Sequence, residues 1–478
     1  MEKTLVSKES NADLPVIRIK KVALEDFKNV VKGEVVLNCG KEFVPYWAGS
    51  DILGIYGQNG SGKTSLIEAL SILKFAMGGK SVPGVYADCV GAAKKCARLE
   101  FVFDMQYQNG VVREATYSFC IEFRYQVKEE LVEPIISDED AVDAVVVINN
   151  EKFWLMERDE NGKIVSKRQL IIDTSSEEVP FTPDTKRIEL VGTEAKVQKK
   201  LDFNKQWAEL KSKSFVFMQT TLEMFDKASL AFKVLTELQN YALHCLYVVD
   251  TKSSGLIMLN YAIPIYTKKG RITFDAKLPK KILTKYIEEI RAEFGNISSV
   301  LEQLVPGLTI GLKEILPDSD DKTGEPAIWT LPDVCRDGMC MHLRCESDGI
   351  KKIISVLGII IEAFNRPSVT VAIDEFDAGV FEYLLGEILQ AFEESGQGQF
   401  IFTSHNLRPL EVINKKFLCF TTTDPENRYI RLKNISATNN LRDTFFRKIV
   451  CCGQKEKLCN RKKLFEIIDA LENAGRKH

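Results

Sequence analysis

Eight consecutive residues constrain this chain more than any others: Gly57, Gln58, Asn59, Gly60, Ser61, Gly62, Lys63 and Thr64 fit the pattern GxxxxGK[ST] in full. Before them, Asp51 to Tyr56 (DILGIY) reads as a short buried strand. After them, Thr64 to Phe75 (TSLIEALSILKF) carries apolar residues at 66, 67, 70, 73 and 75, the period of a helix. A strand, a glycine loop and a helix in that order predict an α/β fold with the strand in its core. The glycines let successive backbone N–H groups turn inward around an anion, and the helix aims its positive end at the same charge. In such a loop Lys63 reaches the β- and γ-phosphates of a nucleotide. Thr64 offers a hydroxyl to Mg²⁺, and Ser65 continues the binding segment into the helix.

The rest of the chain is long enough to surround that loop with several folding units: 478 residues, 45% of them hydrophobic. A net charge of −3 excludes polyanion binding by bulk charge, so a nucleic-acid surface has to be a local patch. Lysines gather at Lys196 to Lys205, Lys268 to Arg271 and Lys277 to Lys285. Such runs are more often solvated faces than phosphate stripes. Met1 to Leu14 has no apolar core of a signal peptide. The most apolar stretch, Ile353 to Phe364, is too short for a bilayer and contains Glu362. The expectation is a soluble, cytoplasmic protein without a membrane partner. Twelve cysteines are scattered without a CxxC, and read mostly as small buried hydrophobes in a reducing compartment. One group, Cys335, Cys340, His342 and Cys345, has zinc-ligand chemistry. Arg336-Asp337-Gly338 reads as a hairpin turn that puts Cys340 and His342 on one face and Cys345 on the other, which argues against a tight zinc site.

Four regions follow. Residues 1–214 read as a first lobe holding the loop and an antiparallel sheet, its strands ARLEFVFDMQY, EATYSFCIEFRY, AVVVI, KFWLME and IVSKRQLII separated by turns such as Asn109-Gly110 and Asn161-Gly162. An acidic run, Ser137 to Asp140, reads as an exposed loop. Residues 215–330 read as a mainly helical insertion, with helices over Phe215 to Tyr247 and Lys280 to Leu304. At ~1.5 Å per residue these are too short for long coiled-coil arms. Residues 331–436 read as a second lobe, and 437–478 as a tail with a helix from Lys463 to Ala474.

The second lobe supplies three features. Val369 to Ile373 (VTVAI) is a buried parallel-type strand running straight into Asp374-Glu375, 311 residues downstream of Lys63. Asp374 can hold the Mg²⁺ shell and Glu375 can activate a water, although acidic residues also commonly end strands and begin helices. Phe400 to Thr403 ends at Ser404-His405-Asn406, so His405 sits at a strand tip, as a γ-phosphate contact or as a satisfied histidine. Ser347-Asp348-Gly349-Ile350-Lys351-Lys352 opens the apolar helix IISVLGIII. Ser347 there is an ordinary helix cap or, with Gly349, part of an anion site.

In this order these elements resemble the ABC-type ATPase heads of the SMC, RecF and OLD superfamily. GQNGSGKT has the GxNGxGKT form of that superfamily, SDGIKK resembles a degenerate signature, IDEFDAG a Walker B and D-loop, and TSHN a switch histidine. IRIKKVALEDFKNV resembles the first strand. The resemblance covers roughly 16–125 and 331–435. The short middle and the TSHNLRPLE stretch are similar to compact ATPases of bacterial phage-defence systems, of the abortive-infection, retron-associated, Septu and PARIS types. It implies ATP and Mg²⁺ as cofactors, Lys63, Glu375 and His405 in catalysis, Thr64 and Asp374 at the metal, and Gln219 (in SFVFMQTT) as a Q-loop ligand. It also implies a homodimer or larger homo-oligomer, in which Ser347 and Gly349 of one subunit complete the site of the other. Asp348, where transporters have glycine, argues against a transporter. The 73 residues after His405 are too few for the nuclease domain of OLD proteins, so cleavage of nucleic acid would fall to a separate effector, a nuclease or toxin. The resulting expectation is a regulatory ATPase of an antiviral system; the alternative is a RecF-like ATPase of DNA repair or maintenance, with nucleic acid as a partner.

Overall fold

The computed structural model describes residues 14–37, 49–90, 94, 96–127, 142–250, 262–267 and 270–431. Residues 1–13, the acidic run at 137–140 and the tail helix at 463–474 lie outside the described residues.

The architecture is α/β, the P-loop head expected above, with a parallel sheet at its centre and an antiparallel sheet beside it. The central sheet holds β3 (Asp51–Tyr56), β8 (Leu246–Val249), β15 (Thr370–Ile373), β16 (Gln399–Thr403), β17 (Leu418–Thr421) and the short β18 (Tyr429–Ile430). Their order is β18-β17-β3-β16-β15-β8, parallel throughout except for β18. Every residue of β3, β8, β15, β16 and β17 is buried, as expected of strands covered on both faces. Alternation decides which face each serves. Leu53 and Ile55 join one core, while Ile52 and Tyr56 join the other.

The first core is shared with the antiparallel sheet, in the order β2 (Val30–Val36), β1 (Val16–Phe27), β4 (Ala97–Gln106), β5 (Val112–Val127), β6 (Val142–Arg158) and β7 (Ile164–Asp173). Helix α1 (Lys63–Met77) is buried between the two sheets and contributes Leu66, Ile67, Leu70 and Leu73 to this core. Helices α2 (Asp184–Val191), α3 (Ala195–Leu210), α4 (Gln219–Leu222) and α5 (Leu230–His244) complete this side. The second core gathers α6 (Ile287–Leu304), α7 (Asp348–Asn365) and α8 (Glu382–Ser395), with the short α9 (Pro409–Val412) against α8. It also takes in the β9–β10 hairpin (Ala262–Thr267, Gly270–Asp275) and a small sheet of β11 (Lys280–Leu283), β13 (Pro326–Arg336) and β12 (Leu308–Ser319), with β14 (Met339–His342) paired to β13.

Helices α4, α5 and α6 occupy the stretches read as helical in the middle of the chain. The strands among them change what that region does. β8 follows α5 with only Cys245 between, and pairs in parallel with β15, so the middle region extends the central sheet. Lys280 to Leu283 is strand β11 rather than the start of α6.

The hairpin at Asp337-Gly338 is present, and both residues have positive φ, 50° and 83°, as a two-residue primed turn requires. Its register sets Cys335 opposite Cys340, and the two form a disulfide with a Cα–Cα distance of 4.0 Å. The reading of the cysteines as mostly reduced hydrophobes does not hold for this pair. Cys345 is exposed and outside the bridge.

Candidate nucleotide-binding site

The loop after β3 turns sharply because its glycines permit it. A Cβ added at Gly57 would stand 1.8 Å from Thr421 Oγ1, so any side chain there collides with β17. Gly62 caps α1 in the left-handed region, at φ 94°. The loop is then pinned from outside. The Asn29 side-chain amide donates to Gly60 O, the Tyr429 hydroxyl donates to Gly62 O at 2.7 Å, and Ser61 Oγ is hydrogen-bonded to Thr421 Oγ1. Ser65 turns its hydroxyl back to Asn29 Oδ1, 3.2 Å away, so its side chain supports the loop from behind. Lys63 is buried, and its ammonium donates to Gly57 O at 2.9 Å and Gln58 O at 3.1 Å. Burial pulls its pKa down, opposed by the nearby carboxylates Asp374, Glu375 and Asp377.

Those carboxylates arrive from the neighbouring strands. β3, β16 and β15 lie side by side, so their C-terminal ends open on one crevice, the usual ligand position of an open α/β sheet. Asp374 ends β15 and is almost wholly buried. Its Oδ1 accepts from Thr403 Oγ1 at 2.6 Å and from Thr64 Oγ1 at 3.4 Å. Its Oδ2 is buried without a partner. Burial pushes this carboxyl above its ordinary range. An orphaned carboxylate oxygen beside a threonine hydroxyl is the hard-oxygen set that suits Mg²⁺, which completes its shell with phosphate and water. The residues present fit the ion.

Glu375 stands in the left-handed region at φ 47°, uncommon for a residue with a side chain. It is held from both sides: its N–H donates to Thr403 Oγ1 at 2.8 Å, and its carbonyl accepts from the Lys352 ammonium. Asp377 links the two strand tips, since its Oδ2 accepts from the N–H groups of His405 at 2.9 Å and Asn406 at 2.8 Å. The resulting cleft, about 460 Å³, has Asn59, Gly60, Lys63 and Thr64 on one wall. Glu375, Asp377, Thr403 and His405 form the other.

Three expected residues, Gln219, Ser347 and Gly349, lie on neither the phosphate loop nor the tips of β15 and β16 that form the cleft. Gln219 begins α4, is exposed, and donates to Glu223 Oε1 at 3.0 Å. Ser347 caps α7, its Oγ accepting from Ile350 N at 3.3 Å, and is also exposed. Gly349 packs onto the loop after β15 in its own chain, where an added Cβ would stand 1.9 Å from Gly379 O. Sequence reasoning missed Asn29, Thr403, Asp377 and Lys352. Thr403 and Asp377 are one residue before Ser404-His405 and two after Glu375, so proximity to the motifs was a usable signal. Lys352 gave none, because a lysine pair at a helix start reads as solvated. Both lysines are buried, but Lys351 pairs with the exposed Asp348 at 2.8 Å, whereas Lys352 turns to the loop after β15.

The sequence model of the AAA domain family matches residues 21–304, more than half of the chain. The chain belongs to the AAA domain family. The matched segment carries the phosphate loop, and Asp374 and His405 follow it in the chain. Among solved structures this AAA domain protein is similar to an Smc head bound to the C-winged helix domain of ScpA, with 14% identity over 87% of this chain and 97% of that one and a TM-score of 0.34. It is similar to an SMC head domain from Thermotoga maritima, with 13% identity, 87% and 99% coverage and a TM-score of 0.34. The recombination mediator RecF, in a structure described as RecF-ATPrS, gives 11% identity, 87% and 99% coverage and a TM-score of 0.35. No curated protein matches the sequence.

Proposed function

We propose that this AAA domain protein binds ATP with Mg²⁺, hydrolyses it, and uses the cycle to regulate a separate effector in an antiviral defence system. The observation that supports the ATPase reading is the convergence of Lys63, Thr64, Glu375 and His405 on one cleft, with the orphaned Asp374 oxygen beneath it. Here the loop N–H groups from Gly57 to Lys63 cradle the phosphates. Lys63 leaves its loop carbonyls for the β/γ oxygens, and Thr64 and Asp374 hold Mg²⁺, which would neutralise phosphate charge. Glu375 takes the proton of the attacking water as the new P–O bond forms and the β–γ bridging bond breaks, releasing ADP. His405 contacts the γ-phosphate. The exposed start of α7, with Ser347, meets the partner's nucleotide in a two-fold dimer, an isologous contact that closes on itself. The defence role rests on the resemblance of the motifs to compact phage-defence ATPases.

Filter retention of labelled ATP tests the first part. Lys63→Ala should lose binding, and Glu375→Gln should bind and retain ATP. Equal retention by wild type and Lys63→Ala refutes the reading. Co-purification with the product of an adjacent gene, with and without ATP, tests the regulatory part. A DNA-maintenance role of RecF type draws on one observation, the exposed lysines 196, 199 and 200 along α3.

A further inference from the structure

We propose that the outer face of α3 is a binding platform for single-stranded nucleic acid. The helix has two sides with different chemistry. Its inner stripe, Leu201, Asn204 and Ala208, is buried against the body of the protein, and Lys205 folds inward to donate to Thr174 O at 2.7 Å and Ser176 O at 2.6 Å. The core is therefore satisfied without the aromatic residues. Phe203 and Trp207 stand on the opposite side, 60% and 41% exposed, with rings 6.0 Å apart and only 17° from parallel. The Lys211 ammonium lies 4.9 Å from the Trp207 ring centre.

Large exposed aromatic rings on a polar helix mark an interaction surface. The flanking charge selects the occupant. Lys196, Lys199 and Lys200 are exposed one to two turns before Phe203, and among the described residues no carboxylate pairs with them. Lys211 closes the other end. With Lys205 turned inward, Lys196, Lys199, Lys200 and the C-cap Lys211 stand against Asp202, Glu209 and the N-cap Glu194, in a chain whose net charge is −3. From Lys200 to Lys211 the helix rises ~16 Å, room for a few nucleotides of backbone. Two near-parallel rings between phosphate-sized cationic groups suit unpaired bases, which offer a π-face and a charge together. A duplex hides its base faces. A protein strand without carboxylates laid on the same stripe would desolvate the lysines without pairing them.

The platform is independent of the ATPase reading, and its test needs no nucleotide. Fluorescence anisotropy of a short labelled oligothymidylate with the full-length protein, over a series of salt concentrations, gives affinity and salt slope. Trp207→Ala should weaken binding roughly fivefold to 150-fold, the fold-change expected on losing one stacked base. Trp207→Phe should retain most of the affinity, since it keeps a ring. Lys199→Ala with Lys200→Ala should lower the slope of log affinity against log salt by about 1.4, ~0.7 for each phosphate contact. All these positions are exposed, so unchanged melting temperatures establish folding. No binding by the wild type, as expected of a protein-docking stripe, overturns the proposal. So does equal or tighter binding of duplex, or a Trp207→Ala protein that binds as the wild type does.

Discussion

Lys352→Met is the perturbation that most directly tests how the site is held. The Lys352 ammonium is buried under α7 and donates to two carbonyls of the loop after β15, Glu375 O and, at 3.1 Å, Ala378 O. Hydrogen bonds to a charged group contribute about 1.5–3 kcal/mol each, so the gross loss is about 3–6 kcal/mol. Part is returned, because burial already lowers the pKa of this ammonium and methionine carries no such desolvation cost. A net destabilisation of about 1–3 kcal/mol should remain, the usual size for a buried polar loss. The larger effect should fall on chemistry. Glu375 sits at φ 47°, a conformation that costs about 1–3 kcal/mol and persists only where its surroundings impose it. Thr403 holds its N–H and Lys352 its carbonyl. With one grip gone, the carboxylate shifts from the attacking water, and a displacement of ~1 Å costs about 100-fold in rate. Labelled-ATP retention should stay near the wild-type value, since Lys63 and Thr64 are untouched, while single-turnover hydrolysis falls about tenfold to 100-fold. Lys352→Arg should fall between. A Lys352→Met protein with wild-type hydrolysis and wild-type melting refutes the reasoning.

Gly57→Ala should abolish ATP retention and cost about 1–3 kcal/mol of stability by overpacking against Thr421, and adding Thr421→Ala should restore part of the melting temperature; a single variant that behaves as wild type counts against the close approach. Asp374 has a pKa raised by burial above its ordinary 3.8. Its neutral form therefore contributes stability that is full below 3.8 and is lost as pH rises through the folded-state value. Mg²⁺-dependent nucleotide affinity has the opposite sign, because it needs the carboxylate. Titrated downward from neutral pH, that affinity should fail at a pH above 3.8, and a midpoint at or below it overturns the assignment. Lys63→Ala and Ser347→Arg, each inactive, should regain partial hydrolysis when mixed and allowed to exchange subunits, since one composite site of the heterodimer is intact. No recovery despite confirmed exchange refutes a role for Ser347 across the interface.

How much of this was legible before the structure depends on the range over which each feature is encoded. β3, β15 and β16 announced themselves because a strand covered on both faces must be a short unbroken apolar run, and DILGIY, VTVAI and QFIFT are such runs. The phosphate loop was legible for the same local reason, since its geometry is made by glycines within six residues. β8 was not, because LYVV follows α5 after a single residue and adds its apolar side chains to a helical pattern, leaving only pairing with β15 to reveal a strand. Gln219 differs again: a glutamine after an apolar run fits a ligand loop, and the structure places it at the start of a one-turn helix on the surface. The metal-side geometry is less legible still. Asp374 meets Thr64 across 310 residues and Thr403 across 29, and neither contact leaves a periodicity in the chain. Lys352 shows the same limit from the other side. Its neighbour Lys351 has identical chemistry and is buried too, but pairs with Asp348, so only a helix rotation of about 100° decides which lysine grips the loop after β15. Sequence motifs thus identify the groups that line the cleft, because a phosphate loop and its facing carboxylates are encoded in short stretches of chain. The groups that hold them in place are constrained by packing, and packing is what the fold alone supplies.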